Sequence, residues 1–130
     1  MGERYLLDTN TVIYYSDANL PIPALDFLDS ILIIEGNISV ISKIELLGWA
    51  YPNPGDYLKM QQFADKADVY MLTDEIINQT ILLRKNFKIK LPDAIIAATA
   101  LVHDFTLISR NAGDFKKLPT LKFINPFTDL

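Results

Sequence analysis

The chain has 130 residues, 50% of them hydrophobic, and a formal net charge of -4, which suits one domain able to bury a core. It has no cysteine, which excludes disulfides and thiolate metal sites and leads us to expect a reducing cytoplasm. The N-terminus lacks a basic-then-apolar leader pattern, and the most apolar run, Phe27 to Ile34, is interrupted by Asp29 and ended by Glu35, so neither secretion nor membrane insertion is expected.

In chain order, "RYLLD" from Arg4 predicts a short strand ending in an acid, and "TNTVIYY" a helix that Thr9 or Asn10 could cap. A helix from about Pro23 to Ile34 leads through Gly36 and Asn37 into "ISVIS", β-branched and therefore a second strand. Ser42 to Ala50 has helical character, "YPNPG" from Tyr51 breaks the chain, and an amphipathic stretch follows from about Asp56 to Lys66; together they predict a helical hairpin. "VYML" from Val69 reads as a strand, Thr73 as a cap, and Asp74 to Phe87 as a helix. "KLPDAIIAATALVHDF" from Lys90 places Pro92 and Asp93 at the start of an apolar helix. "FTLIS" is a fourth strand, "RNAGDF" a turn, and "LKFIN" a fifth strand. Strands separated by helices of this length predict an α/β domain with a mainly parallel sheet of four to five strands, covered on both faces.

In such a sheet, sites form beyond the carboxyl ends of the strands. Asp8 ends the first strand, Glu45 is expected in the first turn of the helix after the second, and Asp114 follows the fourth. Asp93 opens a helix that runs antiparallel to its strand, so it starts at the same edge. Asp104 shares a helical stripe with Asp93 but lies about 16 Å further along the axis, at the opposite edge, and is excluded. Each acid has a simpler explanation: Ser42 and Glu45 fit an S-x-x-E capping box, Asp114 could cap a turn at Phe115, and Asp93 suits a first helical turn. Independent caps, however, have no reason to gather at one edge. Two carboxylates 5 Å apart repel by about 3 kcal/mol at an effective dielectric of 20, so a cluster of four calls for a cation. Oxygen-only ligands suit Mg²⁺ or Mn²⁺, ions that commonly serve phosphoryl chemistry.

Four stretches, "YLLDTN", "ISVISKIELLGW", "KLPDAIIAATAL" and "LISRNAGDF", occur in an order that resembles the PIN domain family, and within it the VapC-type toxins of bacterial toxin-antitoxin pairs. The resemblance spans nearly all of residues 1–130 and implies a single PIN domain, a three-layer α/β/α fold with a protruding helical hairpin. It implies an Mg²⁺- or Mn²⁺-dependent endoribonuclease with Asp8, Glu45, Asp93 and Asp114 as acidic site residues, supported by Asn10, Ser109 and Asn111. Asp8, Asp93 and Asp114 would hold the metal, and Glu45 would act on the attacking water. Some members carry an acid where this chain has Asn111, which bears on a second metal. The resemblance also implies a homodimer held inactive by a small VapB-like antitoxin that enters the groove. A second reading keeps the fold but gives up catalysis, leaving a module that binds protein or RNA. An aspartate-based phosphatase would want a second acid two residues after Asp8, where Asn10 stands.

Charge is divided along the chain: residues 1–83 carry 4 basic and 12 acidic side chains, residues 84–130 carry 8 basic and 4 acidic. The basic third is a candidate RNA surface, with Arg110, Lys116 and Lys117 flanking the acids in sequence, and Lys43, from the acidic part of the chain, flanks them too. Arg84, Lys85, Lys88 and Lys90 precede Asp93, and their simpler role is a solvated helix end. His103 is the only histidine, so paired-histidine ribonuclease chemistry is excluded. Trp49, Tyr51 and Pro52 are candidates for a partner surface.

Overall fold

The computed structural model describes residues 2–130 and contains one five-stranded sheet, parallel throughout. Its strands are β1 (Tyr5–Leu7), β2 (Asn37–Ser39), β3 (Asp68–Tyr70), β4 (Thr106–Ile108) and β5 (Phe123–Ile124). The spatial order is β3-β2-β1-β4-β5, so the winding reverses between β1 and β4. In an open parallel sheet that reversal leaves a crevice at the carboxyl ends of the two strands.

Helices α1 (Thr9–Ser16) and α2 (Ile22–Leu32) connect β1 to β2, and α3 (Val40–Gly48) and α4 (Pro54–Lys66) connect β2 to β3. Helices α5 (Asp74–Asn86) and α6 (Leu91–His103) lead into β4, and the short α7 (Ala112–Phe115) precedes β5. Neighbouring strand residues face opposite sides of a sheet, and here they fill two cores. Leu6 and Leu107 pack with Ile76, Ala97 and Phe115 on the α5–α6 side. Leu7 and Ile108 pack with Val12, Leu28 and Leu46 on the other. Complete burial of each leucine contributes about 1.5–3 kcal/mol, and the double alternation makes the fold three-layered.

Helix α6 is apolar nearly all round because it lies between the sheet and α5; Ala94 through Ala100 are all buried. It ends at Asp104 in a left-handed conformation that aspartate tolerates, φ 56°. Thr73 caps α5 as its sequence predicts, its hydroxyl accepting from the Ile76 amide at 3.2 Å. Helices α3 and α4 pack against each other as the expected hairpin, with Trp49 66% exposed beyond the end of α3.

Three local expectations are corrected. The second strand ends at Ser39, not Ser42, because the Ser39 hydroxyl accepts from the Ile41 amide at 3.1 Å and starts α3. Val40 and Ile41 are β-branched and read as strand, but the cap draws them into the helix. Ser42 and Glu45 therefore form no capping box, and Glu45 sits in the second turn. Helix α1 is capped by Asp8, not by Thr9 or Asn10. Asp114 lies inside α7 and does not cap a turn at Phe115. Among the described residues no helix is long and apolar enough to cross a membrane.

Candidate active site

Asp8 follows β1 directly and is only 7% exposed. Its Oδ1 accepts from the Thr11 amide at 2.9 Å, satisfying a free donor at the start of α1, and its Oδ2 accepts from the Ser109 hydroxyl at 2.5 Å. Ser109 follows β4, so this bond crosses the crevice where the winding reverses. The Thr11 hydroxyl donates to the Ile108 carbonyl at 2.9 Å, and Ser109 Oγ accepts from the Asn111 amide at 3.0 Å. Burial pushes the Asp8 pKa up; the Ser109 and Thr11 hydrogen bonds oppose it, and the charge of Glu45 adds to it.

Glu45 projects from α3 and is exposed; its Oε1 accepts from the Thr9 hydroxyl at 2.6 Å. Asp114 in α7 accepts from the Asn111 side-chain amide at 2.8 Å, with Lys117 Nζ 3.8 Å away. Asp93, in the first turn of α6, is half-buried. Among the described residues no side chain hydrogen-bonds to its carboxylate. Its pKa is raised first by burial and then by the charges of Asp114, Asp8 and Glu45, with only Lys90 opposing.

Four acids from four parts of the chain therefore act on one another at the carboxyl edge. Among the described residues, no group of three or more His, Asp or Glu side chains is placed so that it could hold a metal ion. The donors fit a small hard cation all the same. They are oxygens only, Lys117 and Lys90 offset their repulsion only in part, and Mg²⁺ keeps much of its water shell while using one or two carboxylates. Asp104 stands apart, paired with Lys122 at 2.9 Å on the opposite edge.

The supporting residues divide by task. Ser109 orients Asp8, Asn111 orients Asp114 and keeps its own side-chain oxygen free, and Asn10 is exposed in a groove of about 380 Å³ with Trp49 and Tyr51. Thr9 and Thr11 also belong to the site, and sequence reading missed this by treating Thr9 only as a cap. The signal was a hydroxyl on either side of Asn10, directly after the acid. Of the basic candidates, Lys43 is partly buried on α3 and Lys116 is exposed. The Arg110 guanidinium lies 4.0 Å from the Phe127 ring centroid and 5.7 Å from that of Tyr14, so it is held against two aromatic rings.

The family model described as "PIN domain" matches residues 5–121. The chain belongs to the PIN domain family. Among curated proteins this PIN domain is 28% identical over 129 residues to Ribonuclease VapC2 of Rickettsia felis, covering 90% of this chain and 93% of that protein. Among solved structures it resembles a toxin-antitoxin complex from Klebsiella pneumoniae at 26% identity and a TM-score of 0.74, covering 95% of this chain and 98% of the other. VapBC2 of Rickettsia felis, bound to a DNA fragment from its promoter, matches at 23% identity and a TM-score of 0.78, covering 93% and 97%. The second likeness establishes the shared fold.

Proposed function

We propose that this PIN domain is an endoribonuclease of the toxin kind that hydrolyses RNA phosphodiester bonds with water, works in the cytoplasm and is held inactive by a VapB-like antitoxin. The observation that carries the reading is Asp93: a half-buried carboxylate with no hydrogen-bond donor, within reach of the charges of Asp114, Asp8 and Glu45. A purely structural acid would be expected to have a donor or a cation beside it. Asp8, Asp93 and Asp114 would hold Mg²⁺ or Mn²⁺, directly or through water. When bound, such an ion acidifies water and offsets charge on the phosphate oxygens.

Glu45 is exposed and held by Thr9, which suits it to take a proton from the attacking water. Ser109 and Thr11 fix the direction of Asp8, and Asn111 that of Asp114. Because water and not the ribose 2′-hydroxyl is the nucleophile, the products would carry a 5′-phosphate and a 3′-hydroxyl. The groove beside Asn10, rimmed by Trp49 and Tyr51, suits an apolar antitoxin segment, and the relatives seen as toxin-antitoxin complexes support that partner. A homodimer accords with the same resemblance.

The test is cleavage of an end-labelled oligoribonucleotide with Mg²⁺ or Mn²⁺, followed by analysis of the new ends. Glu45→Gln should lower turnover by about 10²–10⁴-fold while keeping RNA affinity. Products ending in a 2′,3′-cyclic phosphate would rule out the water mechanism. A protein that binds RNA or antitoxin but cuts nothing, with no response to metal, would leave the binding-module reading.

A further inference from the structure

A cleft of about 330 Å³ opens beside Asp114, lined by Arg84, Lys88, Ile89, Lys90, Asp114 and Lys117. Four cations face one carboxylate there. Arg84 and Lys117 are fixed: Arg84 Nη1 donates to the Ile89 carbonyl at 2.8 Å, and Lys117 donates to the Lys88 carbonyl while lying 3.8 Å from Asp114. Lys88 and Lys90 are exposed, and no side-chain hydrogen bond or ion pair occupies either among the described residues. The helix dipole accounts for Arg84 in the last turn of α5. It does not account for Lys90, which holds the N-cap position of α6, the positive end of that helix.

We infer that this cleft is a phosphate subsite for the RNA strand, receiving a backbone phosphate next to the one that is cut. The assignment rests on the nuclease reading above. The cleft shares Asp114 with the acid cluster, and the charge of Lys90 reaches Asp93, so a strand lying in it continues onto the carboxyl edge of the sheet. Cations at a helix start are suited to an anion, and a single strand offers anions at regular spacing. The placement also changes which cations matter: Lys88 and Lys90 line an open cleft, whereas Arg110 is engaged with Phe127 and Tyr14.

The experiment measures binding of a fluorescent single-stranded oligouridine to the full chain in EDTA across a salt series, alongside cleavage with Mn²⁺. Lys88→Ala combined with Lys90→Ala should reduce the slope of log K against log salt by about 1.4, two contacts at about 0.7 each, which is roughly a tenfold loss near physiological salt. Lys66→Ala with Lys122→Ala removes the same charge from the opposite edge of the sheet and should keep the wild-type slope. If the wild type cuts RNA and the Lys88/Lys90 variant binds with unchanged affinity and slope, the subsite falls and the nuclease stands. Equal losses in both double variants would also overturn it, in favour of a general charge effect. If the wild type neither binds nor cuts RNA, both readings fall. Inorganic phosphate, titrated at constant ionic strength and followed by phosphorus NMR, should not saturate the cleft at micromolar concentrations. Saturation there would make it a small-anion site and overturn the strand assignment.

Discussion

The two edges of the sheet treat their charged groups in opposite ways. At the amino edge Arg4 and Glu35 form a two-point ion pair, both contacts at 2.9 Å, with the Asn37 side chain donating to Glu35 at 2.8 Å and the Phe105 ring 5.0 Å from the guanidinium. Asp104 there pairs with Lys122. At the carboxyl edge the charges of Asp8, Glu45 and Asp114 all bear on Asp93, where only Lys90 opposes them, and the one ion pair is that of Asp114 with Lys117 at 3.8 Å. Paired charges hold a structure together, whereas gathered like charges oppose it unless a ligand neutralises them. The difference separates structural acids from candidate functional ones within one molecule.

The strongest way to break that contrast is to neutralise one acid on the carboxyl edge. Asp93→Asn or Asp8→Asn should lower RNA cleavage on the order of a thousandfold, since a bound cation supplies several kcal/mol of charge stabilisation and about 1.4 kcal/mol is tenfold in rate. Both variants should remain folded and melt no lower than the wild type without metal. Variants that unfold readily yet cleave normally per folded molecule would make these acids structural.

A metal titration sharpens the contrast next. A cation at a hundredfold its Kd stabilises by about 2.7 kcal/mol, several degrees of melting temperature, so Mg²⁺ or Mn²⁺ should raise the Tm of the wild type more than that of Asp114→Asn. Equal rises would remove Asp114 from the site.

A smaller effect is a difference in the sign of pH dependence. Asp8 and Asp93 keep their protons to higher pH when folded than when unfolded. As pH rises through the ordinary aspartate range the unfolded chain ionises first, so these groups cost stability progressively until the folded carboxyls have ionised too. Glu35 is the reverse: the Arg4 hydrogen bonds lower its pKa, so its contribution is complete above the ordinary glutamate range and is lost as pH falls through the lowered value. Metal-free wild type should therefore lose more stability than Asp93→Asn as pH rises through the ordinary aspartate range and just above it, as followed by urea unfolding. Identical pH profiles would mean that Asp93 is not in conflict with its neighbours.

The smallest effect belongs to the control, Asp104→Asn, for which cleavage should not change measurably. A large loss would mean that the two edges are not functionally distinct.

The alternation of apolar strands with helices, and the four acids at one edge, could be read from residue order because topology alone places the ends of parallel strands together. What could not be read was local competition. Val40 and Ile41 carry a strand preference that the Ser39 cap overrides, which moves Glu45 from the first helical turn to the second. Asp8 takes a cap that Thr9 and Asn10 were equally fit to take, because the strand ends one residue earlier than a helix starting after Thr9 needs. Arg110 looked like a free cation because Phe127, which stacks on it, lies 17 positions away, beyond any sequence pattern.

The double duty of Asp8 has an evolutionary consequence. Asparagine caps a helix about as well as aspartate, and its amide can still meet the Ser109 hydroxyl, so replacing Asp8 with Asn removes charge and spares the fold. The codons of the two residues differ by a single base. If the chain poisons its host when unrestrained, survivors selected under that pressure should include molecules that fold, persist and still engage their inhibitor, harmless through one inherited base change.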